Sequence, residues 1–253
     1  MDHNALVKLS AELGVCLMES GAEIYRVEDS VRRLLVAYGA EDAQVFAVPN
    51  CLFVGLNPPD QPPVTSLRRV PPHGIDLDTL ELYNGVCRAL CADTPPLDEA
   101  ARRIAEIDGR RPRYSGAITQ LGHFLVAAFF TPFFGGGALD ALCGGVCGLA
   151  IGLSGRLFDR IAGANAFFRT LLSAALSAFL ALVMGRLGLA GNTHAMTIGA
   201  LMLLVPGVAL TNAMREVMAG DVISGVTRFA EVLLTATAIA LGTGLAMMLG
   251  RLL

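Results

Sequence analysis

Residues 116–134 read GAITQLGHFLVAAFFTPFF and contain no formally charged side chain. A helix needs about 20 apolar residues to cross a hydrocarbon core of about 30 Å, so this stretch predicts a membrane span. Comparable stretches follow at 135–155, 167–187, 195–213 and 228–250. Only a helix pairs all the backbone polar groups of a lipid-exposed segment internally. We therefore predict an α-helical membrane protein with a bundle of five transmembrane helices.

The charged residues are concentrated before this membrane region. Residues 1–115 carry 12 Lys+Arg and 17 Asp+Glu, whereas the whole 253-residue chain has 19 and 22. The chain is 54% hydrophobic and 16% charged, with a mean hydropathy of +0.58, which excludes an ordinary soluble domain and a disordered chain. A net charge of -3 and the absence of Trp argue against a nucleic-acid partner. We predict a small cytoplasmic α/β domain over 1–114 and a transmembrane domain over 115–253.

The N-terminal domain is predicted to combine helices with a small antiparallel sheet. Leucines at helical spacing over 4–20 indicate an amphipathic helix, and a second one follows it. Over 43–56, β-branched and aromatic residues flank the turn signal Pro49-Asn50, and 64–70 is a third extended segment. Two further helices are expected before the membrane region begins.

Arginine is distributed asymmetrically around the five predicted spans. With the N-terminus in the cytoplasm, ten arginines lie on the inner flanks and two on the outer flanks, which is the orientation that the positive-inside rule favours. The C-terminus is then outside. The inner set is Arg102, Arg103, Arg110, Arg111, Arg113, Arg156, Arg160, Arg169, Arg215 and Arg228, and the outer set is Arg186 and Arg251.

The predicted fourth span contains the sequence Leu204-Val205-Pro206-Gly207. Pro206 removes one helical hydrogen bond and Gly207 tolerates the resulting bend, so we expect the helix to break or kink there. A break within a membrane exposes carbonyls or amides that can hold a polar solute. The alternative is a kink used only for packing, because Pro and Gly are common in membrane helices.

Candidate substrate-binding residues lie at this break and shortly after it. The set is Pro206, Gly207, Thr211, Asn212, Arg215 and Arg228. The asparagine can hydrogen-bond a polar solute, and the two arginines can receive a carboxylate bidentately. The arginines could instead pair with glutamates or contact lipid phosphates, and the sequence leaves both interpretations open.

Three ionisable residues, His123, Asp140 and Glu231, are candidates for coupling transport to protons, since such groups are costly in a membrane unless they are used. His123 could instead be a hydrogen-bonded packing residue, and Asp140 could face the outer water.

The sequence contains no P-loop, GxSxG, HExxH or GxGxxG signature. We therefore predict no enzymatic activity and no cofactor or metal.

Small residues recur at every fourth position in two predicted spans. Such spacing lets helices approach closely, either within one chain or at a subunit seam, and both remain open. The two sets are Gly144, Gly148 and Gly152, and Gly242, Ala246 and Gly250. Many secondary transporters are built from paired repeats, and no second copy of the membrane region is visible, so we expect a partner chain or a homo-oligomer.

The chain resembles the threonine/serine exporter family, and within it the short YjjP-like members that correspond to the N-terminal half of the full-length exporter. The resemblance is carried by the Gly21–Glu28 run GAEIYRVE, the Gly135-Gly136-Gly137 segment with Asp140, and Leu204-Val205-Pro206-Gly207 with Asn212 and Gly220. It implies a cytoplasmic N-terminal domain, about five membrane helices and export of small polar acids. These are threonine and serine in the full-length branch, and succinate in a split branch that works with a separate YjjB-like subunit.

These observations predict a subunit of a secondary exporter linked to the proton-motive force, in the bacterial inner membrane. It is expected to move a small carboxylate or amino acid outward, in the lipid bilayer and with a second membrane subunit. Two alternatives are a membrane-anchored enzyme that acts through the cytoplasmic domain and a non-transporting assembly or regulatory subunit.

Overall fold

The structure is a computed structural model that describes residues 2–59, 61–71, 74–110, 114–162 and 165–250. The chain divides into two compact units. The first unit is Met1–Arg113 with Thr211–Phe229, and the second unit is Tyr114–Leu210 with Ala230–Leu253. Residues 111–113, beside the predicted domain boundary, and residues 251–253, on which the predicted external C-terminus depends, lie outside the described ranges.

In its described residues, the first unit contains four complete helices and a three-stranded sheet. In chain order these are α1 (His3–Glu19), α2 (Ile24–Ala37), β1 (Ala43–Val48), β2 (Cys51–Leu56), β3 (Val64–Arg69), α3 (Leu77–Asp93) and α4 (Leu97–Arg110). The sheet is antiparallel in the order β1-β2-β3, which confirms the predicted small sheet. Helix α1 packs against α2, the sheet, α3 and α4, and Leu6, Leu13 and Leu17 on it are completely or almost completely buried.

One face of the sheet carries an apolar row that is exposed to solvent. Phe46 on β1 is paired with Phe53 on β2, and Phe53 is paired with Leu67 on β3. These side chains are exposed, and the two phenylalanine rings lie 6.2 Å apart between centroids. The opposite face of the strands holds Leu52 and Val54, which are fully buried in the core of the first unit.

The second unit is helical in its described residues. It contains α5 (Gly116–Phe133), α6 (Ala138–Ala162), α7 (Ala166–Arg186) and α8 (Thr193–Leu201). Two further helices, α9 (Gly207–Ala219) and α10 (Val222–Gly250), have residues in both units. Among the described residues, four helices are long and apolar enough to cross a membrane: α5, α6 over Ala138–Phe158, α7 and α10. Large apolar side chains on their surfaces are exposed, as expected for helices that face lipid.

The predicted fourth span, 195–213, is not one helix. Helix α8 ends at Leu201 and α9 begins at Gly207, and neither is long enough to cross a membrane alone. The count of five spans is therefore not confirmed. The interruption lies where Pro206 lacks the amide that a continuous helix requires. The fifth predicted span also differs, since α10 begins at Val222 and not at residue 228.

Thr211–Phe229 pack with the N-terminal residues in the first unit, although the sequence analysis assigns them to the transmembrane domain. The physical reason is a set of charged and polar contacts with the segment between α1 and α2, described below. The N-terminal unit therefore includes the later turns of α9 and the first turns of α10.

The two stripes of small residues pack within the chain. A Cβ atom built on Gly148 would overlap the carbonyl oxygen of His123 on α5 and lie 2.7 Å from the Ala127 Cβ. A Cβ on Gly242 would overlap the Leu171 carbonyl oxygen on α7. These glycines let α6 approach α5, and α10 approach α7, more closely than any larger side chain permits. Of the two interpretations of the stripes, the structure supports intrachain packing.

Candidate functional site at the helix break

The break between α8 and α9 leaves backbone carbonyls without amide partners. After α8, the amides of Leu203, Leu204 and Val205 donate backward to Ala200 or Leu201. Within the described part of the chain, no backbone amide donates to the carbonyls of Met202, Leu203 or Leu204. Pro206 cannot supply one, and the Gly207 amide bonds to Val205 instead. The break thus presents acceptors before α9 and the first turn of α9 after it.

An open groove lies beside the break within the second unit. It has a volume of about 460 Å³ and is lined by Leu201, Val205, Pro206, Ala236, Ile239, Ala240, Thr243, Gly244 and Met247. This volume is within the range of small-molecule sites. The lining side chains are almost all apolar, and the hydroxyl of Thr243 donates to the Ile239 carbonyl of its own helix. Polar recognition in the groove therefore has to come from the backbone of the break.

Asp140, a predicted proton-coupling residue, lies at the start of α6 and is engaged by three backbone amides. Its Oδ2 accepts from Gly137 at 2.8 Å, and its Oδ1 accepts from Gly191 at 2.7 Å and from Asn192 at 3.1 Å. Asp140 as a whole is 7% exposed. This geometry ties the segment before α8 to α6, which is a structural role. Coupling to protons by Asp140 remains untested.

We expect Asp140→Asn to open the segment before α8 locally. An asparagine side chain has one acceptor oxygen and places an NH₂ group where the carboxylate now accepts, so at least one of the three amides loses its partner. Hydrogen exchange followed by mass spectrometry should show faster exchange at Gly137 or over residues 188–192, depending on which amide the single oxygen no longer reaches. Unchanged exchange there would contradict the role that we assign to Asp140.

His123 and Glu231, the other two predicted proton-coupling residues, lie in the second unit, and their side chains make fewer hydrogen bonds among the described residues than that of Asp140 does. The Nδ1 of His123 lies 2.7 Å from the Thr119 carbonyl of its own helix, and since a carbonyl only accepts, this nitrogen carries the hydrogen. Glu231 is exposed near the start of this unit's part of α10. Both remain predictions as proton-coupling residues.

A charged cluster forms within the first unit, between the end of α9, the start of α10 and the segment before α2. It comprises Glu23, Arg215, Glu216 and Arg228, with Arg26 at its edge. Arg215 donates to Glu23 at 2.6 Å, and the Glu23 side chain is 7% exposed. Arg26 lies 3.4 Å from the second oxygen of Glu23. The predicted arginine Arg215 is therefore paired with a glutamate, one of the alternatives that the sequence left open.

The other half of the cluster is more deeply buried. Oε1 of Glu216 accepts from the Ile24 amide at 3.2 Å and lies 3.1 Å from Nε of Arg228. Arg228 also donates to the Ala22 carbonyl at 3.1 Å. The Glu216 side chain is 0% exposed and that of Arg228 is 10% exposed. These contacts hold the Gly21–Glu28 run against α9 and α10.

The sequence analysis missed the roles of Glu23 and Glu216. Read alone, the Gly21–Glu28 run is a capped helix start with solvated charges, whereas Ala22 and Glu23 are buried. Their partners lie 192 or more positions later in the chain. The resemblance of this run to a family motif was the available signal that it has a special role.

Thr211 and Asn212, two of the predicted substrate-binding residues, belong to the first unit. Pro206 and Gly207 belong to the second unit. Thr211 is exposed and Asn212 is buried, at 8% exposure. The structure therefore brings Arg215 and Arg228 into one cluster with Glu23 and Glu216. It places Pro206 in the lining of the groove, which belongs to the other unit.

Metal-binding chemistry has no obvious location in the described part of the chain. No group of three or more His, Cys, Asp or Glu side chains there could hold a metal ion. None of the six cysteines forms a disulfide in the described part of the chain. In the first unit, burial raises the pKa of the Cys87 thiol to about 12, so that this group is a thiol at neutral pH and a poor nucleophile.

Comparison with known proteins decides the family. Residues 8–250 match the ThrE family, described as "Putative threonine/serine exporter". The chain belongs to the ThrE family. This is a family of membrane transporters, so the four long apolar helices are those of a multi-pass membrane protein.

One relative of this ThrE chain is an uncharacterized protein of Schizosaccharomyces pombe (strain 972 / ATCC 24843). The two are 26% identical over 229 residues, which are 85% of this chain and 27% of the yeast protein. The chain thus spans about a quarter of the length of that relative. No solved structure matches this chain.

Proposed function

We propose that this chain is a subunit of a secondary exporter that moves a small amino acid out of the cell across a bacterial inner membrane. Its N-terminal unit is cytoplasmic in this proposal, and a second YjjB-like membrane subunit or further copies complete the transporter. Membership of the ThrE family supports export. The observation that carries the substrate site is the helix break beside the groove of about 460 Å³.

The backbone chemistry of the break suits an amino acid. The carbonyls of Met202, Leu203 and Leu204 have no amide partner among the described residues and can accept hydrogen bonds from an ammonium group. The first turn of α9 carries the partial positive charge of a helix N-terminus, which favours a carboxylate. A zwitterion satisfies both ends, whereas a dicarboxylate such as succinate offers no donor to the carbonyls. Threonine or serine is therefore the proposed substrate, and succinate is the alternative to be tested.

The proposal assigns different roles to the predicted binding residues. Pro206 and Gly207 create the break. Thr211 and Asn212 follow on α9 and remain candidates for contact with a substrate on its path. Arg215 and Arg228 would have to give up Glu23 and Glu216 before binding a carboxylate, so we assign carboxylate recognition to the start of α9 instead.

Exchange of radiolabelled threonine and succinate in proteoliposomes tests this function directly. We expect the full chain to catalyse threonine counterflow. If the chain alone shows no transport, we expect counterflow when the partner is co-expressed. Pro206→Ala restores an amide that can donate to the Met202 carbonyl and close the gap. We expect it to slow counterflow by about tenfold or more, which corresponds to about 1.4 kcal/mol of lost transition-state stabilisation.

Pro132→Ala is the matched control. Pro132 is exposed and lies inside α5 near its end, away from the residues that line the groove. It should transport as the unaltered protein does. Failure of both compounds to exchange in every combination would contradict the proposed function, and equal rates for the two proline variants would contradict the proposed site.

A further inference from the structure

One buried carboxylate in the first unit has an oxygen that no described residue contacts by a hydrogen bond. Glu216 is 0% exposed, and among the described residues its buried Oε2 has no hydrogen-bond partner. Its other oxygen, Oε1, takes both the Ile24 amide and the contact with Arg228. An unpaired oxygen of a buried carboxylate is costly while the group is charged, and a proton on that oxygen removes the charge.

The contacts of Glu216 can tolerate that proton. A proton that bonds to Oε2 leaves Oε1 free to keep accepting from the Ile24 amide. Arg228 keeps its hydrogen bond to the Ala22 carbonyl. What changes is the attraction between Glu216 on α9 and Arg228 on α10, because the pair loses one of its two charges. Proton binding therefore weakens one link between the two helices without breaking the rest of the cluster.

The surroundings of Glu216 favour binding of a proton. Burial raises the pKa of the Glu216 carboxyl above its ordinary value, the Arg228 guanidinium and the Ile24 amide lower it, and the charges of Asp221 and Glu23 raise it again. These groups come from α10, from the start of α2 and the residue before it, and from the turn after α9. Glu23 is itself paired with Arg215, so its influence depends on that pair.

We infer that Glu216 is the residue that binds the coupling proton of the transporter. This inference rests on the proposed function and on the link to the proton-motive force that the sequence predicts. The proton comes from water on one side of the membrane, forms an O–H bond at Oε2, and leaves to water on the other side. Glu216 lies on α9, whose first residue Gly207 directly follows the helix break. Loosening the link between Glu216 and Arg228 removes one restraint on α9, the helix that begins at the break.

The test separates proton coupling from substrate exchange. Proteoliposomes loaded with radiolabelled threonine are assayed for counterflow, which needs no net proton movement, and for efflux under an imposed pH gradient that is acidic outside. For Glu216→Gln we expect counterflow within about twofold of the unaltered protein and no acceleration by the gradient. If the unaltered protein moves neither threonine nor succinate, with or without its partner, the proposed function fails. If it moves one of them and Glu216→Gln still responds to the gradient, only the present inference fails.

An infrared difference spectrum between acidic and neutral pH gives a readout that does not depend on transport. The unaltered protein should show the carbonyl stretch of a protonated carboxyl group, and Glu216→Gln should lack that component. Glu216→Asp keeps a titratable group and should respond to the gradient with a shifted pH profile, so it serves if the glutamine variant fails to fold. Glu12→Gln, on the exposed side of α1, is the matched control and should keep both signals. A carboxyl band unchanged in Glu216→Gln would overturn the inference.

Discussion

Gly148→Leu should prevent α5 and α6 from packing and should abolish most folded protein. Even a single carbon at this position would overlap the His123 carbonyl oxygen, which is backbone and cannot turn aside. The helices would have to separate along the whole stripe, and we expect a loss of about 3 kcal/mol or more in the free energy of unfolding. In size-exclusion chromatography of the detergent-solubilised protein, the monodisperse peak should lose most of its area. The melting temperature should be strongly lowered.

Gly155→Leu is the matched control for this variant, because Gly155 lies on the same helix and nothing is within 4 Å of a Cβ built there. It should elute and melt as the unaltered protein does. Similar behaviour of the two leucine variants would show that the close approach of α5 and α6 does not limit stability.

Arg228→Met should leave Glu216 buried without a counter-charge. Removing one partner of a buried ion pair costs about 3–5 kcal/mol, because the remaining charge has neither water nor a partner. The melting temperature in detergent should fall accordingly. The additional change Glu216→Gln should recover most of the loss. The loss should also shrink as the pH is lowered, because Glu216 can then bind a proton and become neutral.

The sign of this pH effect follows from the raised pKa of Glu216. The native protein holds the proton at pH values where the unfolded chain has already released it, so the stability from this group falls as the pH rises from the ordinary carboxyl range to the raised value. Arg33→Met is the control, since its pair with Asp29 is exposed on α2 and should leave the melting temperature unchanged. An equal loss in both arginine variants, or one independent of pH, would contradict the role of Glu216.

The regular elements could be predicted where local pattern decides them. The stretch 116–134 contains no charge and forms α5 over Gly116–Phe133, and the turn signal Pro49-Asn50 joins β1 to β2. Pro206 also marked the position of the break, because a missing amide is a local property. What local pattern could not give is whether α8 and α9 together act as one span, since neither is long enough alone.

The charged cluster could not be predicted, because it depends on contacts between distant parts of the chain. Arg228 looks like the boundary of a membrane span, and an arginine at such a position ordinarily reaches for water or lipid phosphate. In the structure it points to Glu216 and to the Ala22 carbonyl, and α10 continues N-terminal to it as far as Val222. Only the fold brings Glu23, Glu216 and Arg228 together, so neither the spacing nor the composition reveals which oxygen is left unpaired.

The glycine stripes have a consequence for assembly. Because Gly148 and Gly242 are already occupied by neighbouring helices of the same chain, another subunit cannot use them to dock backbone against backbone. The exposed surface around these helices includes bulky outward side chains such as Phe129 and Phe133, which are 75% and 79% exposed, and another subunit can pack against them. There it competes with acyl chains for the same contacts. The cohesion of any such oligomer should consequently vary with the lipid composition of its membrane.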